Sequence, residues 1–270
     1  SMGTFTTCPL SFRFSYLERL PEPPSAPASK GTLVHLALQH LMWRPPAERT
    51  LEAALADLNR ATERLMSHAE FSELDLTEEQ WAQFHSDADV LVHKYFEIED
   101  PTRVNVLGLE LRVSAETSDG IVVRGIIDRL ELDEDGELVV TDYKTGSAPG
   151  EGWEQRSLAG VHIYALLCER MFGRRPARVQ LMYLSRPELI ITQPNNQSLR
   201  GVEMKTNAVM RAVRTACDRD DFRPRTSALC EYCAYREFCP EWGGDPKLAA
   251  PVLLARKAER EGRPQLPLST

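Results

Sequence analysis

The sequence predicts an α/β fold, a mixed central sheet flanked by helices, with an N-terminal helical elaboration and a C-terminal cysteine-cluster segment. Three observations carry it. Helical patterns run to about residue 99. Over residues 104–144 the apolar period becomes two, in three runs separated by short turns. A helical run, two short strand-like runs and a second helical run follow.

Each element has its own warrant. After Cys8, an aromatic segment with Phe12, Phe14, Tyr16 and Leu17 leads into residues 21–27, whose four prolines predict a loop. Residues 31–43, GTLVHLALQHLMW, are apolar nearly all round and predict a short buried helix. Residues 50–70 and 77–99 predict two more helices, the second with Thr77 as N-cap and Gln80 three residues on. Along residues 104–115, Leu107, Leu109, Leu111 and Val113 alternate with Gly108, Glu110 and Arg112, as on a half-buried strand. Residues 121–132 and 137–144 predict two strands around an Asp-Glu-Asp-Gly turn. A helix is expected over 154–172, strands over 178–184 and 188–192, and a helix over 199–219. Beyond residue 242 the prolines and mixed charge predict a poorly packed tail, 243–270, with a helical piece near 248–261.

At 270 residues the chain is long enough for a sizeable core. Its 42% hydrophobic and 27% charged residues exclude a disordered chain, and no uncharged apolar run reaches the roughly 18 residues of a membrane span. No signal peptide is evident, and Ser1 precedes Met2 as a cloning remnant would, so a cytoplasmic location is expected. The net charge of −8 is unevenly distributed. Residues 47–100 carry fourteen acids and four bases, whereas residues 170–229 carry twelve bases and five acids, Arg174, Arg175, Arg178, Arg211 and Arg214 among the bases. A solvated arginine-rich face and a cationic track for a polyanion both fit the second stretch.

The richest stretch is GIIDRLELDEDGELVVTDYKTG, residues 125–146. Period two puts Leu138, Val140, Asp142 and Lys144 on one strand face and Tyr143 on the other. If the hairpin loop is Glu134, Asp135 and Gly136, with Gly136 left-handed, Asp128 faces Asp142, and two carboxylates at that spacing call for a cation such as Mg²⁺ or Mn²⁺. A two-residue loop would spoil the pair. An ordinary hairpin with a cross-strand salt bridge is the plainer reading of the same residues. Of the six cysteines, Cys230, Cys233 and Cys239 have ligand spacing, Cys8 is the candidate fourth ligand, and zinc and iron–sulfur ligation both fit thiolates so spaced. Cys168 and Cys217 follow apolar helical positions and read as core residues.

Gly125-Ile-Ile-Asp128 followed by Asp142-Tyr-Lys144-Thr-Gly resembles the two motifs of the PD-(D/E)XK nucleases, and the DYKTG form resembles their RecB-type branch. That branch includes the nuclease domains of recombination helicase-nucleases and the CRISPR-associated adaptation nucleases. The resemblance implies a restriction-endonuclease-like core and one nuclease domain over residues 1–242, with a helical elaboration over 28–100 and a catalytic core over 103–220. It implies His35, in Gly31-x-x-x-His35, as a further metal ligand beside Asp128, Asp142 and the Tyr143 carbonyl. It also implies Lys144 as the catalytic lysine and Glu110 as an extra acid. His40 and the other histidines have no such support. On the next helix Tyr164 fits the branch's Gln-x-x-x-Tyr pattern, but Gly160 stands in the glutamine's place and Gln155 is nine residues from the tyrosine. The resemblance decides the cysteines for a 4Fe-4S cluster joining Cys8 to Cys230, Cys233 and Cys239, a staple between the chain ends. The expected function is a Mg²⁺- or Mn²⁺-dependent DNA exonuclease acting on single-stranded ends in repair or recombination, leaving 5′-phosphate and 3′-hydroxyl products. No nucleotide-binding loop is present, so any helicase is a separate protein. The rivals are a CRISPR-adaptation-type nuclease and a non-catalytic DNA-binding module with a structural cluster.

Overall fold

A computed structural model of the protein describes residues 1–148 and 154–261. In chain order the helices are α1 (Met2–Thr7), α2 (Pro9–Phe12), α3 (Ala26–Trp43), α4 (Leu51–Leu65), α5 (Ala69–Ser72), α6 (Glu78–Ile98), α7 (Glu154–Phe172), α8 (Asn196–Arg219) and α9 (Ala249–Glu261). The strands are β1 (Asn105–Glu116), β2 (Val122–Leu132), β3 (Leu138–Lys144), β4 (Arg178–Tyr183) and β5 (Glu188–Thr192). The chain divides into two compact units, Pro24–Lys205 and a second made of Ser1–Pro23 with the residues from Thr206 onward. No helix among the described residues is long and apolar enough to cross a membrane.

The first unit holds a five-stranded sheet in the order β1-β2-β3-β4-β5, with β3 and β4 parallel and the other pairs antiparallel. A parallel pair needs a long crossover, and α7 lies on it between β3 and β4. The mixed sheet flanked by helices is the expected α/β core. Leu138, Val140, Val179, Leu181 and Tyr183 pack with Val161, Ala165, Leu167 and Cys168 of α7. Tyr143, Met182 and Leu184 pack with α3, α4 and α6. α3 is apolar on nearly every side because helices and sheet both bury it: Leu33, Val34, Ala37, Leu38 and Leu41 have no solvent exposure. The capping box at Thr77 and Gln80 starts α6.

Four expectations need correction. α3 begins at Ala26, inside the expected loop, because a helix tolerates Pro27 in its first turn. The helix expected over 50–70 ends at Leu65, with a separate short turn, α5, beyond it. The alternation along β1 does not hold throughout: Leu109 packs with the α3–α6 cluster, Leu111 and Val113 with the α7 cluster, and Leu107 is exposed. Between Leu109 and Leu111 stands Glu110, whose φ of 45° is left-handed and shifts the strand's facing. Cys168 is buried, but Cys217 is exposed, one position past the buried Ala216 on α8.

In the second unit Leu10, Phe14, Leu20, Tyr235, Phe238, Ala249 and Leu253 form a small core. The Tyr235 hydroxyl donates to the Leu20 carbonyl at 3.1 Å, and Arg225 donates to the Thr6 carbonyl at 2.6 Å. The helix anticipated near 248–261 is α9, and its Ala249 and Leu253 belong to this core rather than to a loose tail. Residues 262–270 of that expected tail lie outside the described residues.

Candidate functional site

The β2–β3 hairpin sets the site. Gly136 has φ of 74°, the Gly136 amide donates to the Asp133 carbonyl, and the Asp133 amide donates to the Glu137 carbonyl, so the loop is the three residues 134–136. The pairs Leu130↔Val140 and Arg129↔Thr141 follow, and one step further along this register Asp128 lies opposite Asp142. There the ladder gives way to a side chain: the Tyr143 amide donates to Asp128 Oδ2 at 2.8 Å.

His35 arrives from α3. Its Nδ1 is 3.5 Å from Asp128 Oδ2, its Nε2 is 3.1 Å from the Tyr143 carbonyl oxygen, and its ring meets the Tyr143 ring edge-on at 5.8 Å. A Cβ on Gly31 would stand 3.2 Å from Thr145 Oγ1, so the glycine four residues before His35 lets α3 approach the end of the DYKTG motif. Gly125 does the same for α7, where a Cβ would meet the Tyr164 ring at 3.1 Å. Both motif glycines serve close approach.

One ligand atom each from His35, Glu110 and Asp128 lie within 4.8 Å of one another, in a half-buried group. Glu110 joins through its left-handed backbone, a conformation costly for a residue with a Cβ and retained where the surrounding structure fixes it. Asp142 stands alongside: Lys144 Nζ is 2.5 Å from Asp142 Oδ2, a buried atom that otherwise lacks a hydrogen-bond partner of good geometry. Burial pushes the Asp128 carboxyl up to about 6. His35 opposes the shift, the Asp142 charge adds to it, the Tyr143 amide opposes it and Glu110 adds a little more. Burial, then Asp142, Asp128 and Glu110, push the Tyr164 hydroxyl up to about 12, so α7 brings that hydroxyl into the field of all three acids. His35, Glu110, Asp128, Asp142, Tyr143, Lys144 and Tyr164 thus come together.

Arg174, Arg175 and Arg178 do not. Arg178, at the start of β4, donates to Asp133 at 2.8 Å. Arg174 donates to the Gly136 carbonyl at 2.7 Å and to Glu137 at 3.0 Å, and Arg175 pairs with Glu169. β3 and β4 run parallel with Val139 beside Arg178 and Lys144 beside Tyr183, which puts these arginines at the hairpin-turn end of the sheet, away from Lys144. Arg211 and Arg214 are exposed on the part of α8 that belongs to the second unit.

The same unit holds Cys8, Cys230, Cys233 and Cys239, all half-buried. Burial raises the Cys233 thiol, a backbone hydrogen bond from Tyr235 opposes this, and the charges of Cys8, Cys230 and Cys239 add to it, which places the four thiols in one neighbourhood.

Sequence reasoning missed Arg129. It is fully buried beneath Tyr143, donates to the Tyr143 hydroxyl at 2.8 Å and to Thr141 Oγ1 at 3.3 Å, and pairs with Glu99 and Glu131. The signal lay in the register, which sets Arg129 opposite Thr141 and two residues from Glu131 on the same strand.

A search of the curated proteins finds no match. Among solved structures, the one described as "Crystal structure of SSO0001" is similar, at 14% identity over 89% of this chain and 84% of that chain, with a TM-score of 0.41. The model of the PD-(D/E)XK nuclease superfamily matches residues 1–240, nearly nine-tenths of the sequence and both motif strands included, and the chain belongs to that superfamily.

Proposed function

We propose that the protein is a Mg²⁺- or Mn²⁺-dependent deoxyribonuclease of the RecB-type branch, an exonuclease acting on single-stranded ends in DNA repair or recombination. One observation carries the reading: the His35, Glu110 and Asp128 cluster with the Asp142–Lys144 pair beside it. The donor set fits a hard divalent ion. It offers carboxylates, an imidazole and a main-chain carbonyl, and it leaves Asp142 Oδ2 buried with only the Lys144 ammonium against it and Asp128 crowded by two other acids.

When bound, such an ion lowers the pKa of its water and polarises the scissile phosphate. Asp128, Asp142 and His35 would hold it, with Glu110 and the Tyr143 carbonyl completing the set. Lys144, whose side chain is 43% exposed against 8% for Asp142, presents its charge toward solvent, where an incoming phosphate gathers negative charge as its bond breaks. Tyr164 stays protonated at neutral pH and can donate a hydrogen bond to the strand. Products with 5′-phosphate and 3′-hydroxyl ends, a helicase on a separate protein and a cytoplasmic setting complete the reading.

The four cysteines are proposed to hold a 4Fe-4S cluster. Their mutual electrostatic influence within one unit and their ligand spacing support that reading.

The test is digestion of end-labelled single strands, blocked at the 5′ or the 3′ end, by purified protein with Mn²⁺. Stepwise shortening from one end is expected. Undiminished digestion by Lys144→Ala and Asp142→Ala defeats the site assignment. Gly160, where a Cβ would meet nothing within 4 Å, leaves open space in the position of the branch's glutamine and favours the second reading, a DNA-binding module without catalysis. Strand binding with no digestion in any divalent metal would select it.

A further inference from the structure

The last turn of α3 ends in an aromatic pair that the site does not use. Trp43 is 64% exposed, and its ring lies on that of His40, centroids 5.4 Å apart and planes within 28°. Tryptophan left in water at this level sacrifices a large apolar surface. Arg44 follows it in the chain. Arg44 Nε and Nη2 each donate to Asp57 at 2.9 Å, and Arg60 pairs with the same buried carboxylate, so one acid orients two guanidiniums. Burial lowers the His40 pKa and Asp57 opposes this. The charges of Arg64, Arg60 and Arg44 lower it further, so all three guanidiniums act on the ring beside Trp43. Glu48 also acts on Arg44. In the acidic stretch 47–100, two of the four bases, Arg60 and Arg64, fall on adjacent turns at this one place.

We infer that Trp43 and His40 with Arg44, Arg60 and Arg64 form an accessory subsite for single-stranded DNA, a base stacking on the indole and its phosphates meeting the guanidiniums. The inference rests on the nuclease reading and names how that site gathers its substrate. Exposed aromatic faces set among cations suit single strands, whose bases are free to stack; a duplex hides those faces. Trp43 is eight residues along α3 from His35, about 12 Å of helix, so a short strand held at Trp43 reaches toward the metal cluster.

The experiment measures binding of fluorescent single strands of roughly 20 nucleotides, and of a blunt duplex, to the full chain by anisotropy without divalent metal. Trp43→Ala is expected to weaken single-strand binding about tenfold, Trp43→Phe by less than threefold, and the duplex by less than twofold. Arg60→Glu with Arg64→Glu is expected to weaken it and flatten its salt dependence. Circular dichroism checks the fold, and Trp43→Phe keeps the test open if the alanine variant is damaged. Single-strand binding by Trp43→Ala within twofold of the wild type overturns the subsite, as does equal loss on the duplex or a wild type that binds no single strand. The two readings separate cleanly. A wild type that binds through Trp43 yet digests nothing keeps the subsite and removes the nuclease, and one that digests strands with Trp43→Ala unimpaired does the reverse.

Discussion

Arg129 donates a 2.8 Å hydrogen bond to the phenolic oxygen of Tyr143, and the main chain of that same tyrosine meets Asp128 through its amide and His35 through its carbonyl. A fully buried cation therefore anchors the residue on which two candidate ligands converge. Burial and the neighbouring acids hold the Tyr143 hydroxyl protonated, with Arg129 opposing.

Removing that cation strands Glu99 and Glu131. Arg129→Met is expected to cost about 3–5 kcal/mol of folding stability, and Tyr143→Phe, which takes away one acceptor, about 1–2 kcal/mol. Urea unfolding followed by circular dichroism measures both. A loss below about 1 kcal/mol for Arg129→Met would show that the network contributes little.

Lys144 and Asp128 separate chemistry from metal binding. Lys144→Ala is expected to lower cleavage by at least about 100-fold. It removes a cation 2.5 Å from Asp142, so Mn²⁺ affinity is expected to hold or improve. Asp128→Asn is expected to lose both. Calorimetric Mn²⁺ titration beside the cleavage assay decides, and Mn²⁺ binding lost in Lys144→Ala would place the lysine in a structural role.

Glu110 combines a ligand and a strained backbone. Glu110→Gly and Glu110→Ala both remove the carboxylate and are both expected to weaken Mn²⁺ binding, but only glycine adopts φ of 45° freely. The glycine variant is expected to be the more stable by about 1 kcal/mol. Equal melting temperatures for the two would mean that the backbone relaxes on substitution.

Gly244 bears on the cysteine loop. A Cβ there would stand 2.2 Å from the Glu237 carbonyl oxygen and 2.7 Å from the Cys239 amide nitrogen, both backbone atoms that cannot swing aside. On the proposed iron–sulfur reading, Gly244→Ala is expected to displace Cys239 and to lower iron per chain and visible absorbance, and Cys8→Ala is expected to do the same. Full iron loading in Gly244→Ala would show that the loop adjusts without losing a ligand.

Asp57 gives a pH dependence. Burial would raise its pKa, but hydrogen bonds from Arg44 and Arg60 outweigh this and hold it below its ordinary 3.8. A depressed carboxyl stabilises fully above its unfolded pKa and loses that contribution as the pH falls through the folded value. The wild type is thus expected to lose its stability advantage over Asp57→Asn below about pH 4. A constant difference between the two from pH 6 to pH 3 would contradict the ion triad.

The hairpin is legible in the sequence because its information is local: an Asp-Glu-Asp-Gly turn with one left-handed glycine sets the loop length, and loop length sets which carboxylates face each other. The helix start at Thr77 is legible for the same reason. The turn of β1 at Glu110 is not, since nothing in the residue type announces a left-handed glutamate; its neighbours in space impose it. Arg174, Arg175 and Arg178 count as surplus charge in the sequence, whereas Glu137, Glu169 and Asp133 meet them in the fold. Arg129 hides for the opposite reason, as a charge in the core: Glu131 stands two residues along the same strand, but its other partner, Glu99, becomes visible only once strand and helix meet.

The unit that holds the cysteines is interrupted in the chain: Ser1–Pro23 belongs with residues from Thr206 onward, and Pro24–Lys205 lies between them. On the ribosome the opening segment therefore emerges first but must wait, with Leu10 and Phe14 uncovered, until Tyr235 and Phe238 have been made. The intervening unit can fold during that interval. Shortening the chain from either side removes part of the same small core, so Cys8 and Cys239 can meet only after translation has passed both.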